Sequence, residues 1–203
     1  MWLLMPILFL SGGCNWLEPL ALVLPEPKIK VPAELAHLQG SVTVVVWVHS
    51  ETLFDYPHLR LELAGHVADR IAAGVRPRVT CADIVDVEQY LDRLGTRFIE
   101  PVSVGRHFGT RFVIYLEVLE FAMREPHVPD LLQGRVRASV VVYDLSDEQA
   151  RALVYELAPV SVAVPPRPTR FTQASAARIR KATYETFAGV VAKKFFDHKE
   201  VDR

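Results

Sequence analysis

The chain is 203 residues long, half of them hydrophobic and 23% charged, with 14 prolines and 9% aromatic residues. That size fits one compact domain with a tether better than two full domains, and the composition excludes a disordered, collagen-like or disulfide-dense protein. Lys and Arg number 23 against 24 Asp and Glu, so the net charge of −1 supplies no global field to recruit nucleic acid or an acidic surface.

Met1 to Leu10 form an apolar stretch closed by Ser11, Gly12, Gly13 and Cys14. Gly12, Gly13, Asn15, Glu18 and Pro19 interrupt it well short of the roughly 20 apolar residues that a membrane span needs, so residues 1–14 read as an export signal. The small residues directly before Cys14 resemble a bacterial lipobox. That resemblance implies a diacylglycerol thioether on Cys14 and a lipid-anchored protein facing the periplasm, with Asn15 leaning toward the outer membrane. Ser11 stands where such motifs usually carry leucine, and no Lys or Arg precedes Cys14. An ordinary cleaved signal, an uncleaved anchor and a cytosolic apolar terminus are the alternatives. Cys14 and Cys81 are the two cysteines, too few for a disulfide framework; Cys81 is expected as a small buried hydrophobe at a strand end.

Residues 15–40 carry Pro19, Pro25, Pro27 and Pro32 and read as an extended tether with few core contacts. The folded domain is expected over 41–196, followed by a charged tail at 197–203. It opens on Val42–Val48, an almost continuous apolar run typical of a strand covered on both faces. Asp55 and Pro57 introduce a helix in which Leu59, Leu63, Val67 and Ile71 recur every fourth residue, stopped by Gly74 and Pro77. A short strand at Arg78–Cys81 and a helix over Val87–Leu94, ended by Gly95, come next. Pro101–Gly109 predicts one or two helical turns and Phe112–Phe121 a largely buried strand. Val136, Ala138, Val140 and Val142 alternate with Arg135, Arg137 and Ser139, predicting a half-exposed strand that forms a hairpin with the Leu153–Val164 segment. Pro165, Pro166 and Pro168 predict a rigid loop. Gln173 to about Phe196 predicts a long amphipathic helix with Ile179, Thr183, Phe187, Val190 and Val191 facing the core. The order β-α-β-α-β-β-β-α describes an α/β (α+β) domain, a mixed sheet covered by helices.

The strand Val42–Val48, the helix Leu59–Ile71, the segment Asp86–Leu91, the run Val104–Ile114 and the strand ending Val142-Tyr143-Asp144 resemble, in this order, a known periplasmic domain. It is shared by curli-secretion lipoproteins and the amino-terminal domain of the Tol translocation protein. The resemblance implies an assembly or secretion component working through contacts with other envelope proteins or through self-association, without catalytic residues. Segments able to build transmembrane hairpins, which need strands of about 9–11 residues, are not found outside the core.

For chemistry, His58, Glu62 and His66 fall at i, i+4 and i+8 on one predicted helix face, where two imidazoles and a carboxylate could reach a metal. Arg70 and Asp69 continue that face, and a solvated row of i,i+4 pairs accounts for the pattern equally well. An exported hydrolase or metal-dependent enzyme using this face is therefore the alternative function. No GxSxG elbow, P-loop or GxGxxG motif is present, so no cofactor, metal, small-molecule substrate or catalytic residue is assigned. From Arg167 to Lys194, seven cations stand against Glu185 alone. Arg178, Lys181 and Lys193 are the candidate contacts to an anionic surface, which would add a second signal to the lipid anchor; a solvated helix face is the plainer reading.

Overall fold

A computed structural model describes residues 28–95, 99–146 and 152–201. The expected signal, Cys14 and the first half of the tether lie outside the described residues. In chain order the elements are β1 (Lys28–Val31), β2 (Ser41–Val48), α1 (Ser50–Asp55), α2 (Leu59–Gly74), β3 (Thr80–Cys81), α3 (Ile84–Leu94), α4 (Pro101–His107), β4 (Phe112–Glu125), β5 (Val128–Asp144), β6 (Leu153–Arg170), α5 (Gln173–Lys193) and β7 (His198–Val201). The chain divides into two units, residues 31–198 and a smaller one made of the two ends beyond them. Strands β1 and β7 pair in a two-stranded sheet, so the expected charged tail carries a strand.

The larger unit is built on a five-stranded sheet in the order β3-β2-β4-β5-β6. β2 runs parallel to β3 and β4, whereas β4, β5 and β6 form an antiparallel meander. This is the mixed, helix-covered sheet that the sequence predicts. The register rows Leu116, Val140 and Leu157, then Val118, Ala138 and Val160, place one residue of each strand on the same face. That face packs under α2 and α5 through Leu63, Val67, Ile71, Phe187 and Val191. A smaller core on the opposite face joins Val45 and Val113 to Val87 and Leu91 of α3 and Val104 of α4.

Local chemistry sets the helix ends. Asp83 accepts hydrogen bonds from the Val85 and Asp86 N–H groups at 2.8 and 3.2 Å and starts α3, and Gly95 ends it at φ +81°. Thr172 and Ser175 form a reciprocal capping box at the start of α5. Gly134 on β5 has no Cβ, and one placed there would collide with Thr183 of α5, so this glycine lets the helix lie close on the sheet. The buried Arg60 of α2 donates to Glu88, 2.8 Å away, and to Asp92, tying α2 to α3.

Four expectations change. Residues 33–38 are not free tether: Leu35 and Leu38 are 3% and 1% exposed within the main core, and the Leu35 N–H donates to the Lys194 carbonyl at 3.0 Å. Helix α1 is new; it buries none of its residues, so no apolar period marks it. The meander arms also run further than the apolar pattern, to Glu125 and from Val128, because cross-strand pairs such as Arg135 with Glu125 at 2.8 Å satisfy the charges there.

The last change concerns the proline segment, which lies within β6 rather than separating elements. Gly134 pairs with Val164 and Leu132 with Thr169, so Pro165–Pro168 bulge opposite Gln133, whose Nε2 donates to the Pro165 carbonyl at 3.0 Å. β6 is the sheet edge, where residues without an N–H are tolerated.

Candidate functional site

On α5, Ile179, Thr183, Phe187 and Val191 are buried as expected, but Val190 is exposed, because it lies beyond the edge of the buried stripe. Arg178 and Lys181 lie on the exposed side, Lys181 within 3.9 Å of Glu185, and Lys193 is half-buried. Fifteen residues of helix separate Arg178 from Lys193, about 22 Å along the axis at 1.5 Å per residue, so the three do not form one compact patch. Lys194, counted in the cationic run, is buried and reaches Glu34 Oε1 at 2.6 Å; Glu34 Oε2 in turn accepts from the Ala158 N–H at 2.9 Å. That lysine fastens the 33–38 segment to the end of α5 and is unavailable to a surface.

The His58–Glu62–His66 row does not close into a ligand set. His58 sits ahead of the first turn of α2 with φ −98° and ψ 6°. Burial, reinforced by Glu62 beside it, holds the phenol of Tyr184 on α5 above the ordinary tyrosine range. The His66 ring lies 5.8 Å from the Tyr184 ring. Glu62 and His66 thus face a neighbouring helix, and among the described residues no group of three or more His, Cys, Asp or Glu is placed to hold a metal ion.

Cys81 is half-buried with Sγ 3.7 Å from the Ala68 carbonyl, and burial, reinforced by nearby Asp69, pushes its thiol up to about 11. At pH 8 the thiolate fraction is then on the order of a hundredfold below that of a free cysteine. In the Cys14→Ser chain, iodoacetamide should alkylate Cys81 correspondingly slowly, with a rate that climbs to about pH 11. Rapid alkylation at pH 8 would contradict the packing.

Sequence reasoning passed over a cleft of about 380 Å³ at the far end of the meander. It is lined by the buried Met123 and Leu132, by Ala176 and Ala177 of α5 and by the exposed Phe171. The Arg124 guanidinium lies 5.0 Å above the Phe171 ring and donates to the Pro129 carbonyl at 3.4 Å. Arg180 enters from α5. Tyr56 packs edge-on against Phe121 at 4.7 Å, and burial raises its phenol above the ordinary range. These residues come from four stretches of chain with no shared spacing, so no linear motif announces them.

The fold is similar to that of PelC from Paraburkholderia phytofirmans, solved as a dodecamer, at 13% identity and a TM-score of 0.47, covering 84% of this chain and 98% of that one. It is similar to the hypothetical protein CT253 from Chlamydia trachomatis at 14% identity and a TM-score of 0.43, covering 77% and 98%. It is also similar to lipoprotein GNA1162 from Neisseria meningitidis at 16% identity and a TM-score of 0.41, covering 74% and 99%. No family model matches the sequence, and neither does any curated protein.

Proposed function

We propose that this chain is a lipid-anchored, non-catalytic protein of the bacterial cell envelope that acts in assembly, secretion or envelope maintenance. It faces the periplasm, and Asn15 after Cys14 favours the outer membrane. Its partners are other envelope proteins or further copies of itself, as in the curli-secretion and Tol domains it resembles. The observation that carries this reading is the apolar run closed by Ser11-Gly12-Gly13-Cys14 ahead of a proline-rich segment. Among the described residues no helix is long and apolar enough to cross a membrane. Metabolic labelling with a fatty acid should mark the wild type and not Cys14→Ser; equal labelling of both, or labelling of neither, overturns it.

Under the same reading the cations of α5 meet anionic headgroups, Arg178 and Lys181 from its exposed side and the half-buried Lys193 about 22 Å along the helix from Arg178. Changing the three to Gln should remove salt-sensitive binding to phosphatidylglycerol vesicles. Unaltered binding from 50 to 500 mM salt, taken as about the range over which exposed charges are screened, would reduce these cations to a solvated face.

A further inference from the structure

Several described arginines pair with carboxylates: Arg60 with Glu88, Arg111 with Asp144, Arg135 with Glu120 and Glu125, and Arg137 with Glu120. Arg124 and Arg180, like Arg70, Arg167 and Arg170, are not among them, and what sets these two apart is the cleft they share. No described carboxylate lies within ion-pair distance of either, and none lines the cleft they share. Two guanidiniums and a phenol converge there on a surface that is otherwise apolar, apart from Gln173 at its rim. Tyr56 lines the same cleft, and its hydroxyl is able to donate a hydrogen bond there. The polar equipment is thus a set of donors awaiting an anion, and guanidinium geometry suits a carboxylate held by paired N–H groups.

The rest of the lining indicates what the anion is attached to. Met123, Leu132, Phe171, Ala176 and Ala177 offer hydrocarbon only. The backbone at Arg124, Leu132 and Thr169 lies within the β4-β5-β6 ladder, and a peptide occupant would need backbone donors and acceptors from the walls. Ala176 and Ala177 precede Arg180 by four and three residues, so the small side chains and the cation share one side of α5, a shallow trough ending in a charge. The volume falls within the range of about 300–1,000 Å³ usual for small-molecule sites. The geometry points to a binding site for one long-chain carboxylate, its head between Arg124, Arg180 and the Tyr56 hydroxyl and its chain along Met123, Leu132 and the α5 alanines.

This goes beyond the anchor reading and does not depend on it. The full chain carrying Cys14→Ser, titrated with the fluorescent C18 carboxylate cis-parinarate below its micelle concentration, should show one saturable site. Oleate should displace the probe, with oleyl alcohol at least tenfold weaker. Arg124→Gln with Arg180→Gln should weaken the acid tenfold or more and bring acid and alcohol level, without moving the melting temperature, because both guanidiniums are exposed. Ala177→Trp, which fills the trough from an exposed position, should abolish binding.

Equal affinity for acid and alcohol in the parent chain overturns the proposal, as does binding that survives both variants. Stronger displacement by a peptide ending in leucine would assign the cleft to a protein tail instead. A dimer lost in Ala177→Trp, without parinarate binding in the parent, would assign it to a second copy.

Discussion

Replacing Phe187 by Ala is expected to cost about 3–5 kcal/mol of stability, the usual range for truncating a buried phenylalanine. Phe187 is fully buried in the main core where α5 packs on the sheet. Urea denaturation should show a lower midpoint with an unchanged slope. Since each kcal/mol moves the midpoint of a domain this size by about 2–4 °C, a loss on the order of 10 °C is also expected. Arg178→Gln and Lys181→Gln, both on the exposed side, should leave the midpoint where it is. A stable Phe187→Ala chain would mean that α5 is seated in another register.

A chain beginning at Gln39 should fail to fold cooperatively or should lose a large part of its stability, whereas one beginning at Val31 should keep its transition. The shorter chain discards Leu35 and Leu38, both buried in the main core, and removes Glu34 from beside Lys194. Deleting one buried leucine side chain costs about 2–5 kcal/mol, so losing two approaches the roughly 5–15 kcal/mol that holds a typical domain together. The lysine left behind adds to the loss, because a buried cation without its carboxylate is costly. Leu35→Ala with Leu38→Ala in the full chain separates the packing contribution from that of the ion pair. If the Gln39 chain melts like the Val31 chain, residues 33–38 are a dispensable strap.

How far the sequence could be read depended on whether each element faces one neighbour or several. Val42–Val48 was legible because β2 is covered on both faces, leaving an unbroken apolar run, and α2 because its buried side repeats every fourth residue. Leu35 and Leu38 were not, since two apolar residues beyond the prolines form no period and the Leu35 N–H meets its acceptor only at Lys194, far along the chain. The same distance hid Glu34, so Lys194 counted as one more surface cation. Pro165–Pro168 look like a loop because proline signals a missing N–H, but not whether the sheet needed it. The cleft at Arg124 and Arg180 exists only once the meander brings Leu132 beside both Arg124 and Thr169, which is a property of register and not of spacing.

The edge strand β6 bears on how the protein behaves when crowded. A sheet edge is a template on which another chain can deposit a strand, and deposition needs a continuous row of unspent N–H groups. On β6, Pro159, Pro165, Pro166 and Pro168 have none, and the Ala158 N–H is taken by Glu34. The longest donor-bearing stretches are therefore Leu153–Leu157 and Val160–Val164, each no longer than one short strand. The carboxylate that fastens the 33–38 segment thus also blunts the sheet against runaway growth. Strand-on-strand fibrils are accordingly disfavoured at concentrations where an unguarded edge of 18 residues would seed them.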